Sequence, residues 1–132
     1  MSLHVPEPVT VQIHEHLPKD PGSAACARHM LDRLEGVLDP QVLANAQLLV
    51  TELVANAVEH ARNEGELFLD VSCGGGRLRV RVSDPGPGFE PHPRRPDSPM
   101  ESGWGLHFVD ELADRWAVEL DGRAHVWFEL RT

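Results

Sequence analysis

A chain of 132 residues with 41% apolar content is long enough for one hydrophobic core and too well patterned for disorder. Its formal charge of −9 argues against a track for nucleic-acid phosphates, and two isolated cysteines, Cys26 and Cys73, make neither a disulfide framework nor a zinc site. No apolar run approaches the ~18 residues of a membrane span, and M-S-L-H-V-P-E-P lacks the basic and apolar regions of a signal peptide, so a soluble, cytoplasmic protein is expected.

Residues 1–8 read as a loose tail. Val9, Val11 and Ile13 then alternate with Thr10, Gln12 and His14, the pattern of a first strand. His14 and His16 share a face of it; two histidines without a third ligand are more often surface residues than a metal site. After the turn Pro18–Gly22, Ser23 is the expected N-cap of a helix with Ala27, Met30, Leu31, Leu34 and Val37 inward, ending near Gly36–Leu38. Arg28 and Arg33 fall outside that stripe.

Asp39-Pro40 opens the next helix with an N-cap and a proline at the first helical position. Val42, Leu43, Ala46, Leu49, Val50, Leu53, Val54, Ala57, Val58 and Ala61 form a broad apolar stripe running to about Arg62, with Gly65 closing it. Beside the stripe lies an i, i+4 row, Glu52, Asn56 and His60. Such a row is either a solvated edge or, at a buried boundary, a place where Glu and Asn hold a cation and a water.

Leu67, Leu69, Val71 and Cys73 alternate with polar neighbours, Gly74-Gly75-Gly76 turns the chain, and strand 77–84 returns against them. Leu78, Val80 and Val82 point to one face and Arg77, Arg79, Arg81 and Ser83 to the other. One further step of that parity puts Asp84 on the apolar side, where a carboxylate needs a partner. D-P-G is also ordinary turn chemistry, so a turn residue is the competing reading.

Between Asp84 and Leu106, two glycine pairs, Gly86/Gly88 and Gly103/Gly105, bracket a segment carrying six prolines. Neither helix nor ladder tolerates that density, and irregular loops beyond about 12–15 residues in a compact domain are functional lids or linkers. Too little chain follows for a second domain, so residues 85–102 are read as a lid. The sole lysine, Lys19, is far in sequence from either glycine cluster, which excludes a Walker A loop; neither cluster is a G-x-G-x-x-G after a first strand, which excludes a Rossmann site.

Gly105 leads into a short helix with Leu106, Val109, Leu112 and Ala113 inward. Trp116, Val118 and Leu120 form a strand, Asp121-Gly122 turns it, and Ala124, Val126, Phe128 and Leu130 complete the sheet, with Trp127 and Phe68 on its outer surface. The sum is a single domain, 1–132, with a two-layer α/β (α+β) sandwich: a mixed, mostly antiparallel sheet covered on one face by three helices. The site is expected between sheet and helices. There Asp84 suits an exocyclic amine such as adenine N6, Gly86 and Gly88 admit a flat ring, and Gly103–Gly105 at a helix N-terminus suits phosphate. Asn56 offers an oxygen to Mg²⁺, and Glu52 can accept a proton from an attacking hydroxyl.

L-L-V-T-E-L-V-A-N-A-V-E-H-A (48–61), D-P-G-P-G (84–88) and G-W-G-L (103–106) resemble the N, G1 and G2 boxes of the GHKL ATPases, whose ATP-binding domain has the Bergerat fold. With the closing V-W-F-E-L, the wording is most similar to the anti-sigma-factor serine/threonine kinases of bacteria. The resemblance implies ATP and Mg²⁺ as cofactors, with Glu52 as general base, Asn56 as Mg²⁺ ligand and Asp84 as adenine anchor. It implies Gly86 and Gly88 at the base pocket, with His60, Gly103, Trp104, Gly105 and Leu106 also at the nucleotide. Its members bind a sigma factor, phosphorylate a STAS-type antagonist and often form homodimers; Arg28 matches an arginine used against the sigma partner, surface salt bridging being the alternative.

Two positions depart from that pattern. A Gly-x-Thr near the last strand is replaced by Gly122-Arg123-Ala124-His125, and Pro85 removes an N–H between Asp84 and Gly86. The first puts efficient phosphoryl transfer in doubt, so a nucleotide-gated binding module with little turnover is the second functional reading. Arg94 and Arg95 are the residues that could supply compensating charge to a γ-phosphate, unless they are simply solvated.

Overall fold

In the computed structural model, which describes residues 11–60, 65–84, 106–120 and 123–132, the alternating segments are five strands. These are β1 (Val11–Pro18), β2 (Glu66–Gly74), β3 (Arg77–Asp84), β4 (Arg115–Leu120) and β5 (Ala124–Arg131). They form one sheet in the order β1-β2-β3-β5-β4. All four pairings are antiparallel, so the expected mixed sheet is antiparallel throughout its described ladder. Three helices, α1 (Ser23–Met30), α2 (Pro40–His60) and α3 (Leu106–Leu112), complete the two-layer α+β sandwich. Val9, the tail 1–8 and the lid 85–102 lie outside the described residues.

The β2–β3 hairpin shows why the register holds. Gly75 and Gly76 have φ of +62° and +78°, the two positive values that a tight hairpin turn of matching twist demands. That turn pairs Cys73 with Leu78, Val71 with Val80 and Leu69 with Val82, so the inward apolar residues of both strands fall opposite one another. A slip of one residue would turn the three apolar residues of the slipped strand to the opposite face.

The apolar stripe of α2 packs on β3 and β5, with Leu43, Ala46, Leu49, Val50, Leu53, Val54 and Ala57 all buried. Asp39 begins this helix as expected: its Oδ1 accepts from the backbone N of Gln41 at 2.8 Å. The first helix departs from expectation. Helical geometry stops at Met30 and a 3₁₀ turn covers Leu31–Leu34. Both geometries put Leu31 and Leu34 inward, whereas Val37, beyond the turn, is 53% exposed.

Ser23 is not the N-cap. It is the first helical residue, and its hydroxyl donates back to the carbonyl of Pro18. Asp20 organises the entry, its Oδ1 accepting from Gly22 N at 2.9 Å and its carbonyl from Ser23 N at 3.1 Å.

Candidate functional site

The parity argument for Asp84 holds in space. The carboxylate ends β3 on the helix-covered face and is 3% exposed. Opposite it in the ladder stands Ala124, also 3% exposed, a position that offers no hydroxyl. Its charge is met by Lys19. The ammonium lies 3.1 Å from Oδ1 and 3.0 Å from Oδ2, and the lysine side chain is itself only 7% exposed.

That ion pair is what the sequence reading missed. Lys19 is 65 residues from Asp84 and remote from both glycine pairs, yet it meets the carboxylate at which the first glycine-rich segment begins. The signal was present. Leu17 is buried, and the same alternation carried two residues on, through Pro18, gives Lys19 the inward side.

The α2 edge supplies the second half of the candidate site. Glu52 and Asn56, one turn apart, are both half-buried beside the core stripe. The Nδ2 atom of Asn56 is buried without a hydrogen-bond partner among the described residues. An unsatisfied buried amide costs about 1–3 kcal/mol and in native proteins points to strain, catalysis or a bound ion or water. Asn56 therefore fits the chemistry of a Mg²⁺-phosphate ligand: one amide atom can face a cation and the other a phosphate oxygen. His60 is the last residue of α2, and its side chain lies outside what is described.

The structure brings Asp84 and the α2 edge to the same side of the sheet. Gly86, Gly88, Arg94, Arg95, Gly103, Trp104 and Gly105 lie outside the described residues, and Leu106 is described only as the backbone start of α3. Arg28 is exposed on α1, away from the apolar stripe, and its carbonyl accepts from Gln47 Nε2 at 3.0 Å.

The opposite sheet face has its own polar order. His14 pairs with Asp70, and His16 Nδ1 lies 2.7 Å from Glu66, with Phe68 packed against both imidazoles. Among the described residues no group of three His, Cys, Asp or Glu gathers as a metal site. Trp127 is nearly buried there, its ring 4.3 Å from the Arg79 guanidinium and its Nε1 donating to Glu119 at 3.0 Å. A cleft of about 260 Å³ lined by Gln12, His14, Asp70, Ser72, Arg79 and Arg81 opens on this face, not at Asp84. No helix among the described residues is long and apolar enough to cross a membrane.

Three comparisons bear on this arrangement. A model of the histidine kinase-like ATPase domain family matches residues 17–129. The crystal structure of the RsbU and RsbW domains of Rv1364c from Mycobacterium tuberculosis is similar with a TM-score of 0.71 and 20% identity. That likeness, which is one of fold, covers 92% of this chain and 32% of the other, so this chain spans about a third of it. No curated protein matches.

Proposed function

The chain belongs to the histidine kinase-like ATPase domain family, and from that premise we propose that it binds Mg-ATP and phosphorylates a serine or threonine on a partner protein. The observation that carries the reading is the buried carboxylate of Asp84 on the same side of the sheet as a half-buried Glu52 and an Asn56 whose Nδ2 lacks a partner among the described residues. In this reading the whole chain, 1–132, is the ATP-binding domain.

Asp84, ionised and acceptor-only, takes the exocyclic amine of the base. Asn56 would hold Mg²⁺ beside the phosphates, and Glu52, one turn earlier on the same edge, accepts the proton of the attacking hydroxyl. Bound Mg²⁺ would neutralise charge on the transferring phosphoryl group. The glycines 86, 88, 103 and 105, with Trp104, Leu106 and His60, serve the base and phosphates by resemblance alone.

The similarity to a structure of RsbU and RsbW domains supports a regulatory setting. The partners proposed are a sigma factor, held by a surface that includes Arg28, and a STAS-type antagonist as phosphoryl acceptor. Incubation with labelled ATP, Mg²⁺ and candidate STAS proteins tests it. Label should reach the antagonist, and Glu52→Gln should transfer it about a hundred- to ten-thousandfold more slowly, the range for a lost general base. Transfer by that variant at the wild-type rate would remove Glu52 from the chemistry.

Ala124 favours a second reading. The residue facing Asp84 in the ladder has no hydroxyl to give the nucleotide, which suits a module that binds ATP and turns over little of it. That module would show partner affinity that depends on ATP, survives Glu52→Gln and is lost in Asp84→Ala.

A further inference from the structure

We propose that Lys19 is a specificity-determining residue of the base pocket: with Asp84 it reads the two adjacent polar positions on the Watson–Crick edge of adenine. The inference rests on the ATP-binding reading above and adds a contact to it. An adenine ring presents an N6 amine, a donor, beside N1, an acceptor. The protein presents a carboxylate and, 3.0 Å from it, an ammonium. The first is acceptor-only and the second donor-only, so the pair is the chemical complement of that edge.

The placement supports a reading role over a purely structural one. Lys19 leaves the end of β1, reaches beneath β2 and meets Asp84 at the end of β3, all on the helix-covered face. It is the chain's sole lysine, and at 7% exposure its ammonium has surrendered nearly all its hydration. A buried ion pair returns little net stability compared with apolar groups of the same shape, so stability alone gives little reason for it. A ligand gives one. A carboxylate has about four lone-pair positions, so an amine can share it with the ammonium. The ammonium then stays on one oxygen and turns a proton toward N1. Guanine carries an acceptor and a donor in the reverse order, which sets like against like at both positions.

The test compares base analogues on the full chain by isothermal titration: Mg-ATP, 1-deaza-ATP, which keeps the amine but lacks the N1 acceptor, and 7-deaza-ATP, which keeps both. Wild type should bind 7-deaza-ATP like ATP and 1-deaza-ATP about ten- to a hundredfold more weakly, the worth of one charge-assisted hydrogen bond. Lys19→Met should bind ATP and 1-deaza-ATP alike, and Lys19→Arg should restore part of the difference. Because discrimination is a ratio within one protein, the wild-type arm can overturn the inference even where Lys19→Met does not fold, and a changed ratio in Lys19→Arg then attributes the contact to Lys19. Wild type that binds ATP and 1-deaza-ATP equally overturns this inference and leaves the ATP-binding reading standing. So does a Lys19→Met protein that binds ATP more tightly, since Lys19 would then be an obstacle that the base displaces. Wild type that binds no nucleotide overturns both.

Discussion

Replacing Lys19 by methionine keeps the length of the side chain and removes its charge, which leaves Asp84 in a site 3% exposed with its cation gone. Removing one partner of a buried pair costs about 3–5 kcal/mol, because the remaining charge is stranded in a medium that solvates it poorly. Asp84→Asn strands the ammonium instead and should cost a similar amount. For a domain of this size each kcal/mol lowers the melting temperature by roughly 3–4 °C, so either single variant should melt about 10–15 °C below wild type. The double variant Lys19→Met/Asp84→Asn strands no charge. It should recover most of the loss, so that the two single costs, about 6–10 kcal/mol together, fall far short of adding. Urea denaturation of the four proteins, followed by circular dichroism, measures the cycle. If both single variants fall within about 0.5 kcal/mol of wild type, as ordinary surface substitutions do, the pair is water-screened and the inward placement of Asp84 fails as an argument.

Four other outcomes follow from the geometry. Asp39→Ala removes the acceptor for Gln41 N and should destabilise the fold by about 1 kcal/mol in the same urea assay. Cys26 is exposed and should react with a disulfide reagent at once, whereas Cys73, buried and with its thiol pushed up by that burial, should react only as fast as the sheet opens. Because the folded thiol titrates above its ordinary value of 9.0, its stabilising contribution is complete below that value and is lost as pH rises through the higher one; Cys73→Ala should flatten that alkaline limb. Hydrogen bonds from His29 and then Gln47 hold the Asp32 carboxyl below its ordinary 3.8, so its contribution is present above 3.8 and lost as pH falls through the depressed value. Asp32→Asn should remove that part of the acid transition, and an unchanged acid limb would refute the assignment.

Period-2 alternation in a half-buried strand is a strong signal, and it located the inward residues of β2, β3 and β5, Asp84 among them. The 3.6-residue stripe of α2 was equally legible because seven of its positions are buried without interruption of the pattern. Short-range capping was less so: Ser23 and Asp20 both suit a helix start, and which carbonyl or amide each one reaches depends on the turn after Pro18. The interval 27, 30, 31, 34 also suits an α-helix and a 3₁₀ turn alike, so periodicity could not find the change of geometry at Leu31. Trp127 could be assigned to the outer face by parity, but its near-burial comes from Arg79 and Arg115 closing over the ring, and no periodicity encodes how two long side chains lie. The Lys19–Asp84 contact is harder still, since it joins residues 65 apart across a strand that touches both.

That contact also separates what the fold needs from what the site needs. Among the described residues twenty-four form a continuous apolar core, and neither Lys19 nor Asp84 is one of them. A methionine–asparagine pair would leave that core intact, and the near-neutral stability expected of the double variant says that the fold does not depend on the charges. If the same double variant, folded and melting near wild type, also binds Mg-ATP with wild-type affinity, the charges serve neither stability nor ligand and the base-pocket argument is refuted. The expected result is a stable protein whose ATP affinity falls by more than a hundredfold, since it loses a charged acceptor for the amine and a charged donor for N1, each worth about 1.5–3 kcal/mol. A fold that survives while binding collapses would assign the buried pair to recognition.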